Sequence, residues 1–138
     1  MVSGQDIVRE ARTWIGTPFH HAARVKGVGV DCAGLLVGVA HALGLPVQDD
    51  TRYHAQDNLA RMRTALAREC EIVPEEEDVF PGDVLLLIGR GMPNHLAIFN
   101  GNGGMIHAWR SAGGVVEHKI DEAWVDNVVD VYRLRGLS

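Results

Sequence analysis

The sequence predicts an α+β fold in which helices come first and an antiparallel sheet follows. Before residue 71, apolar residues recur at helical spacing in three segments. From residue 84 onward the period changes, and short apolar runs alternate with glycine-rich turns. Helices followed by consecutive strands are typical of an α+β arrangement with an antiparallel sheet. The chain of 138 residues has the size of one ordinary domain, so we expect a single domain over residues 1–138.

Three helices are predicted in the N-terminal half. The first begins at Ser3, where Asp6 completes a variant of the capping box, and ends before Gly16. The second runs from about Cys32 to Leu43, behind the helix-capping residue Asp31. Because this helix is apolar nearly all round, it should lie at the centre of the fold. A third, amphipathic helix is marked by Leu59, Met62, Leu66 and Cys70.

Five strands are predicted in the C-terminal half. Pro81-Gly82-Asp83 forms a turn before the first strand, and residues 100–103, Asn-Gly-Asn-Gly, give a strong hairpin signal. Loops are predicted over residues 17–30 and 89–94, and the acidic run 75–78 is interpreted as a solvated connection. The predicted strands cover residues 84–88, 95–99, 104–109, 115–118 and 128–134.

Composition and charge exclude several classes of protein. A hydrophobic fraction of 46% with 22% charged residues excludes a disordered tail. Thirteen scattered Lys and Arg against eighteen Asp and Glu give a net charge of −5, so we expect no nucleic-acid partner. No segment resembles a signal peptide. The longest uncharged stretch, residues 32–48, is broken by Gly44-Leu45-Pro46, so no membrane insertion is expected.

Cys32 is the candidate nucleophile. A thiol at a helix start lies at the positive end of the helix dipole, which stabilises the thiolate, and an imidazolium neighbour would add to this effect. From the helix position alone, however, a small buried apolar side chain is the better interpretation. The second cysteine, Cys70, completes the amphipathic stripe of the third helix and is interpreted as a packing residue. Two cysteines do not form a disulfide framework, which indicates synthesis in a reducing cytoplasm.

The predicted hairpin relates two of the seven histidines, His95 and His107. A three-residue loop over 100–102 would pair Phe99 with Gly103 and place His95 directly opposite His107. A five-residue loop over 99–103 keeps that register. Paired residues share a face of a sheet, whereas a loop of even length would put the two histidines on opposite faces. The remaining histidines, His54 among them, are expected mostly to be surface or packing residues.

A cysteine and two histidines on one face suit acyl transfer. One histidine could take the Cys32 proton while the other orients it through a ring nitrogen. If His107 points away from the Cys32 helix, His118 is the replacement. Zinc binding is the competing use of these residue types, but neither His-Glu-x-x-His nor Cys-x-x-Cys occurs, and His20-His21 would need a third ligand. We therefore expect no metal and no other cofactor.

Five short segments, in this order along the chain, carry a family resemblance. They are Gly16-Thr17-Pro18-Phe19, Asp31-Cys32-Ala33-Gly34-Leu35-Leu36, Pro81-Gly82-Asp83-Val84-Leu85, His95-Leu96-Ala97-Ile98-Phe99-Asn100-Gly101 and Met105-Ile106-His107-Ala108. Together they resemble the NlpC-type cell-wall cysteine peptidases, which have a papain-like fold. The resemblance implies that the nucleophile begins a central helix packed on the antiparallel sheet. It makes Cys32 the nucleophile, His95 the base and His107 the orienting residue.

The family cleaves the peptide stems of bacterial peptidoglycan, commonly after D-glutamate joined through its side chain to diaminopimelate or lysine. The resemblance therefore implies a thiol peptidase acting on these stems. The backbone N–H of Cys32, at the helix start capped by Asp31, is the candidate donor to the oxyanion. Phe19 stands where the family usually has Tyr, so Phe19, His20 and His21 are expected to contact the substrate. The missing hydroxyl leaves an alternative, a structural component with this fold and little activity.

Residues 20–29 and Pro93-Asn94-His95 look like the phage-associated branch of the family. Members of that branch belong to phage tails or tail-like gene transfer particles and open the wall for DNA entry. The resemblance implies tail or hub proteins as partners. It also implies synthesis in the bacterial cytoplasm without a signal peptide, incorporation in a virion, and action in the periplasm at the cell wall.

Overall fold

A computed structural model describes residues 1–49 and 59–138 of the chain. The described part is α+β, with helices preceding most of the strands as predicted. The helices are α1 (Gly4–Arg12), α2 (Cys32–Ala42), α3 (Leu59–Glu69) and α4 (Glu122–Val125). The strands are β1 (Arg24–Val25), β2 (Gly29–Val30), β3 (Cys70–Ile72), β4 (Val84–Gly89), β5 (Met92–Phe99), β6 (Gly104–Trp109), β7 (Gly114–Lys119) and β8 (Val128–Leu134). No helix in these ranges is long and apolar enough to cross a membrane.

Six strands form one antiparallel sheet in the order β3-β8-β4-β5-β6-β7. β1 and β2 pair separately as a small antiparallel ribbon. Strands β4 to β7 follow one another both along the chain and across the sheet, because short turns can join only antiparallel neighbours. This meander places β5, β6 and β7 side by side.

The sheet buries both of its faces. The helices α1 and α2 pack on one face, where Leu86 and Ile98 belong to the larger apolar core. The opposite face carries a smaller core that includes Leu87, Met105 and Trp124 of α4. The residues of α2 that are buried lie on several sides of the helix, which confirms its predicted central position.

The N-terminal helices form where the sequence predicts them, because their caps are present. The Ser3 side chain accepts the N–H of Asp6, and the Asp6 carboxylate accepts the N–H of Ser3, which completes the capping box. The segment that follows α1 packs closely on α2 at Gly38, where the ring of Trp14 leaves no room for a Cβ. The side chain of Trp14 is therefore buried between the two helices.

Four short elements differ from the prediction. The predicted loop over 17–30 contains the β1–β2 ribbon, whose two-residue strands are too short to show a period. Cys70 pairs with Leu134 at the start of β3 instead of ending α3, although it is buried as expected of a packing residue. β5 begins at Met92, inside the predicted loop 89–94, because a register shift in β4 lets the pairing continue there. The one-turn helix α4 was not predicted.

Candidate active site

Cys32 occupies the first position of α2, and its place is fixed by the capping residue before it. Asp31 is almost fully buried, and its Oδ1 accepts the N–H of Gly34 at 2.7 Å. The same carboxylate accepts the N–H of Ala22 at 2.7 Å and the guanidinium of Arg24 at 2.9 Å. Asp31 therefore holds the preceding loop against the helix start and sets where the thiol lies.

The hairpin of β5 and β6 brings His95 and His107 to the same face of the sheet. Its register pairs Ile98 with Ile106 and Phe99 with Met105. The prediction that Phe99 pairs with Gly103, and that His95 lies directly opposite His107, was therefore wrong by two residues. The turn is longer because the Asn100 side chain accepts the N–H groups of residues 102 and 104. A shift of two residues preserves the face, so the predicted juxtaposition is confirmed.

Three histidine rings on three adjacent strands form one hydrogen-bonded chain. His95 Nε2 lies 2.6 Å from Nδ1 of His107. The other ring nitrogen of His107, Nε2, lies 2.8 Å from Nε2 of His118 on β7. His118 Nδ1 in turn lies 2.9 Å from the backbone carbonyl oxygen of Lys119. The chain thus joins the predicted pair to a histidine that the sequence analysis named only as a replacement.

Burial lowers the pKa values of the first two histidines, His95 and His107. His107 is fully buried and His95 is 4% exposed. Desolvation lowers the pKa of His95 to about 4. Desolvation, with repulsion from His95 and His118, lowers the pKa of His107 to about 2. Indole rings flank His107, since Trp109 stacks on it at 5.5 Å and Trp124 meets it edge-on at 5.5 Å. Both histidines are therefore neutral near pH 7.

The sulfur of Cys32 lies against the strand that carries His95. The backbone N–H of Leu96, the residue after His95, lies near enough to this sulfur to lower the pKa of the thiol, as do the N–H groups of Ala33 and Cys32 itself. These donors favour the thiolate, as the helix-start argument expected, but desolvation outweighs them and raises the pKa of Cys32 to about 11. At rest the thiol of Cys32 and the imidazole of His95 are therefore both neutral. Because His95 uses Nε2 for His107, its Nδ1 is the nitrogen left to act on the thiol.

The residues expected to contact substrate lie around this helix start. The ring of Phe19 is half-buried, and the guanidinium of Arg110 lies 5.2 Å from its centroid. His20 is exposed, with its ring against Gly29. His21 is also exposed, and its Nδ1 lies 4.0 Å from Asp31 Oδ2. The ring of His21 thus lies beside the residue that caps the nucleophile helix, and its contact with substrate stays a prediction.

The described ranges show no group of three or more His, Cys, Asp or Glu side chains arranged to hold a metal ion. His54 falls outside the described residues. The sequence signal that could have found His118 is the four-residue connection 110–113. That even-length loop pairs Met105 with His118 and so puts His107 and His118 on one face.

Comparisons with known proteins agree with this geometry. The sequence profile of the NlpC/P60 family matches residues 16–133. The chain is 28% identical over 120 residues to a protein of Corynebacterium glutamicum (strain R) named "Probable endopeptidase". That match covers 86% of this chain and 49% of the relative, so the chain spans about half the length of the curated relatives it matches.

Solved structures confirm the fold that the motifs implied. The NlpC/p60 domain of the peptidoglycan hydrolase SagA superposes with a TM-score of 0.68 at 23% identity, covering 96% of this chain and 100% of that one. The peptidoglycan hydrolase RipB of Mycobacterium tuberculosis gives a TM-score of 0.67 at 21% identity, over 98% of this chain and 65% of RipB. Because the profile match spans most of the chain, the chain belongs to the NlpC/P60 family.

Proposed function

We propose that this chain is a cysteine endopeptidase that hydrolyses the stem peptides of bacterial peptidoglycan. The observation that carries the proposal is the placement of the Cys32 thiol against the strand of His95, whose ring is hydrogen-bonded to His107. A nucleophile, a base and an orienting group are the parts that acyl transfer needs. The family membership supports the substrate class, as do the names of the Corynebacterium relative and of the two solved hydrolases.

The reaction follows from the neutral resting pair. His95 Nδ1 takes the thiol proton as the Cys32 sulfur bonds to the scissile carbonyl carbon, and the carbonyl π electrons move to its oxygen. Donors at the start of α2, the Cys32 N–H among them, stabilise that oxyanion. The oxyanion then collapses, the C–N bond breaks, and His95 gives its proton to the leaving amine. Water, deprotonated by His95, attacks the thioester, and the departing sulfur regains the proton.

The bond we assign is the one between the side-chain carboxyl of D-glutamate and diaminopimelate or lysine. This assignment rests on the five motif segments shared with the family. Phe19 lies near the helix start without the usual hydroxyl, so His20 and His21 are proposed to supply polar substrate contacts on that side.

Digestion of purified peptidoglycan, with mass analysis of the released fragments, tests the proposal. We expect Cys32→Ala to abolish hydrolysis with the fold intact, and His95→Ala to be nearly as severe. His107→Ala should be milder, because an orienting residue positions the base without handling the proton. Cys70→Ala is the matched control, since that thiol is buried away from His95.

Each outcome decides a separate part of the proposal. Full activity of Cys32→Ala would refute the peptidase mechanism. Fragments that do not begin with diaminopimelate or lysine would replace the assigned bond. A folded wild-type protein that releases no fragment would favour the structural alternative.

We further propose that the enzyme is carried in a phage tail or tail-like particle, with tail or hub proteins as its partners, and opens the wall for DNA entry. The motif resemblance over residues 20–29 and 93–95 supports this. A net charge of −5 gives no general attraction to anionic wall polymers, so attachment to a particle would supply the effective concentration. Fractionation of intact particles should recover the chain in them. Its occurrence only as free protein in the host cytosol would refute the tail role.

A further inference from the structure

We propose that His118 is a positioning residue that fixes the hydrogen positions of the hydrogen-bonded histidines, so that His95 keeps an unprotonated Nδ1, the nitrogen proposed to act on Cys32. The inference rests on the proposed function, because it assigns a role within the same site. His118 is the last of the three hydrogen-bonded histidines, and its outer partner is the carbonyl oxygen of Lys119 and not another ring.

The carbonyl of Lys119 decides the tautomer of His118. A carbonyl oxygen can only accept, so His118 Nδ1 must carry the hydrogen of the 2.9 Å contact. In a neutral imidazole the other nitrogen then has the lone pair. His118 Nε2 is therefore an acceptor, and the 2.8 Å contact requires a donor on His107 Nε2.

The same rule passes along the remaining rings. With its hydrogen on Nε2, a neutral His107 presents the lone pair of Nδ1 to His95. The 2.6 Å contact then needs a hydrogen on His95 Nε2. A neutral His95 with that hydrogen has its lone pair on Nδ1, the form that a general base requires. One backbone carbonyl thus sets three tautomers in sequence.

A donor in place of the His118 acceptor would reverse every step. His107 Nε2 would have to accept, its hydrogen would move to Nδ1, and His95 Nε2 would accept in turn. His95 Nδ1 would then carry the hydrogen and could not take the Cys32 proton. The direction of the hydrogen bond between residue 118 and His107 therefore determines whether His95 can act as a base. The mere presence of a side chain at position 118 does not.

The fold holds His118 in the required place. β7 pairs Met105 with His118, which puts the ring diagonal to His107 on the same face. The rings of His107 and His118 meet edge-on at 4.9 Å, and Trp124 lies 5.2 Å from His118. The guanidinium of Arg90, 4.4 Å from the Trp124 ring, is the charged group next to this aromatic cluster.

Two variants at residue 118 separate acceptor from donor. His118→Gln places an amide oxygen where Nε2 was and can still accept from His107, whereas His118→Lys offers only donors. His41→Lys is the matched control, because it adds the same charge at an exposed position on the last turn of α2. The readouts are the rate of Cys32 alkylation by iodoacetamide near neutral pH and the histidine tautomers from long-range ¹H–¹⁵N correlation spectra.

We expect His118→Gln and the control to alkylate within about threefold of the wild type, and His118→Lys to be slower by a factor on the order of 10². The spectra should show hydrogen on Nε2 of His95 in the wild type and on Nδ1 in His118→Lys. Equal rates for the Gln and Lys variants, or a wild-type His95 with hydrogen on Nδ1, would overturn the proposal. The wild-type spectrum decides it even if a variant does not fold. Neither readout involves peptidoglycan, so failure of the substrate assignment is distinguished from failure of this inference.

Discussion

The two thiols of the chain differ in what surrounds them, and this difference predicts their reactivity. Cys32 is half-buried against the strand that carries His95, whereas Cys70 is 2% exposed, and desolvation raises the pKa of Cys70 to about 12. Neither thiol is ionised to a useful extent at neutral pH. His95 is the base proposed to take the proton of Cys32 as it reacts. None of the three hydrogen-bonded histidines lies on β3 or β8, the strand pair that holds Cys70.

We expect iodoacetamide to modify Cys32 faster than Cys70 by a factor on the order of 10² near neutral pH, measured by mass analysis of labelled peptides. His95→Gln should remove most of that difference, because an amide cannot accept the thiol proton in the same way. Equal labelling of both cysteines in the folded wild type would contradict the base role of His95. Labelling in urea provides the control in which the two thiols become equivalent.

The start of α2 depends on a close approach of the preceding loop, and Gly34 makes that approach possible. A Cβ at Gly34 would collide with the carbonyl oxygen of Ala23 and crowd the guanidinium of Arg24. Gly34→Ala should therefore push the loop outward and weaken the cap that Asp31 provides. We expect a loss of about 1–3 kcal/mol in the free energy of unfolding, measured by urea denaturation.

The neighbouring position supplies the control for that prediction. Ala33→Ser changes the next residue of the same helix turn without adding a collision with the loop, and its effect should be small. Cys32 alkylation should also slow in Gly34→Ala, because the thiol would move relative to the Leu96 N–H. Unchanged stability and unchanged alkylation would show that the loop adjusts freely and that Gly34 is not needed to position Cys32.

Local signals determined which elements could be predicted. α1 and α2 were predicted because Ser3 and Asp31 cap them, and β6 and β8 were predicted with their observed ends because turns flank them. β3 was missed because Cys70 fits the apolar stripe of α3 and the sheet alike. Its pairing with the distant strand β8, in which Cys70 lies opposite Leu134, is a contact that no local period reveals.

The site divides in the same way. Cys32, His95 and His107 could be selected from a helix start and a hairpin, since both are local patterns. The exact pairing was missed because the Asn100 side chain shapes the turn through bonds to its own backbone. The burial that keeps His107 neutral involves Trp109 at the end of β6 and Trp124 of α4. Desolvation of this kind follows from the assembled core and not from spacing.

Burying two neutral histidines makes the stability of the whole molecule sensitive to acid. The pKa values of His95 and His107 lie below the ordinary value of 6.5, at about 4 and about 2. The unfolded chain therefore binds more protons than the folded chain once the pH falls below 6.5. By linkage, the contribution of both groups is fully present above that value and is lost as the pH falls towards their folded pKa values.

We expect the free energy of unfolding to fall by about 2 kcal/mol between pH 6.5 and pH 5.5, from two histidines that each approach 1.4 kcal/mol per pH unit. Urea denaturation at the two pH values measures this. Carboxylates contribute little here. Burial raises the pKa of Glu10, but hydrogen bonds and the charge of Lys26 outweigh it. Hydrogen bonds from Arg12 lower the pKa of Glu117, so both values stay below the usual 4.5. The double variant His95→Gln/His107→Gln keeps neutral polar side chains in the core but has nothing to titrate at those positions, so its stability should change much less over the interval. An equally steep fall in the double variant, or a flat profile in the wild type, would show that the buried histidines are not the source of the acid sensitivity.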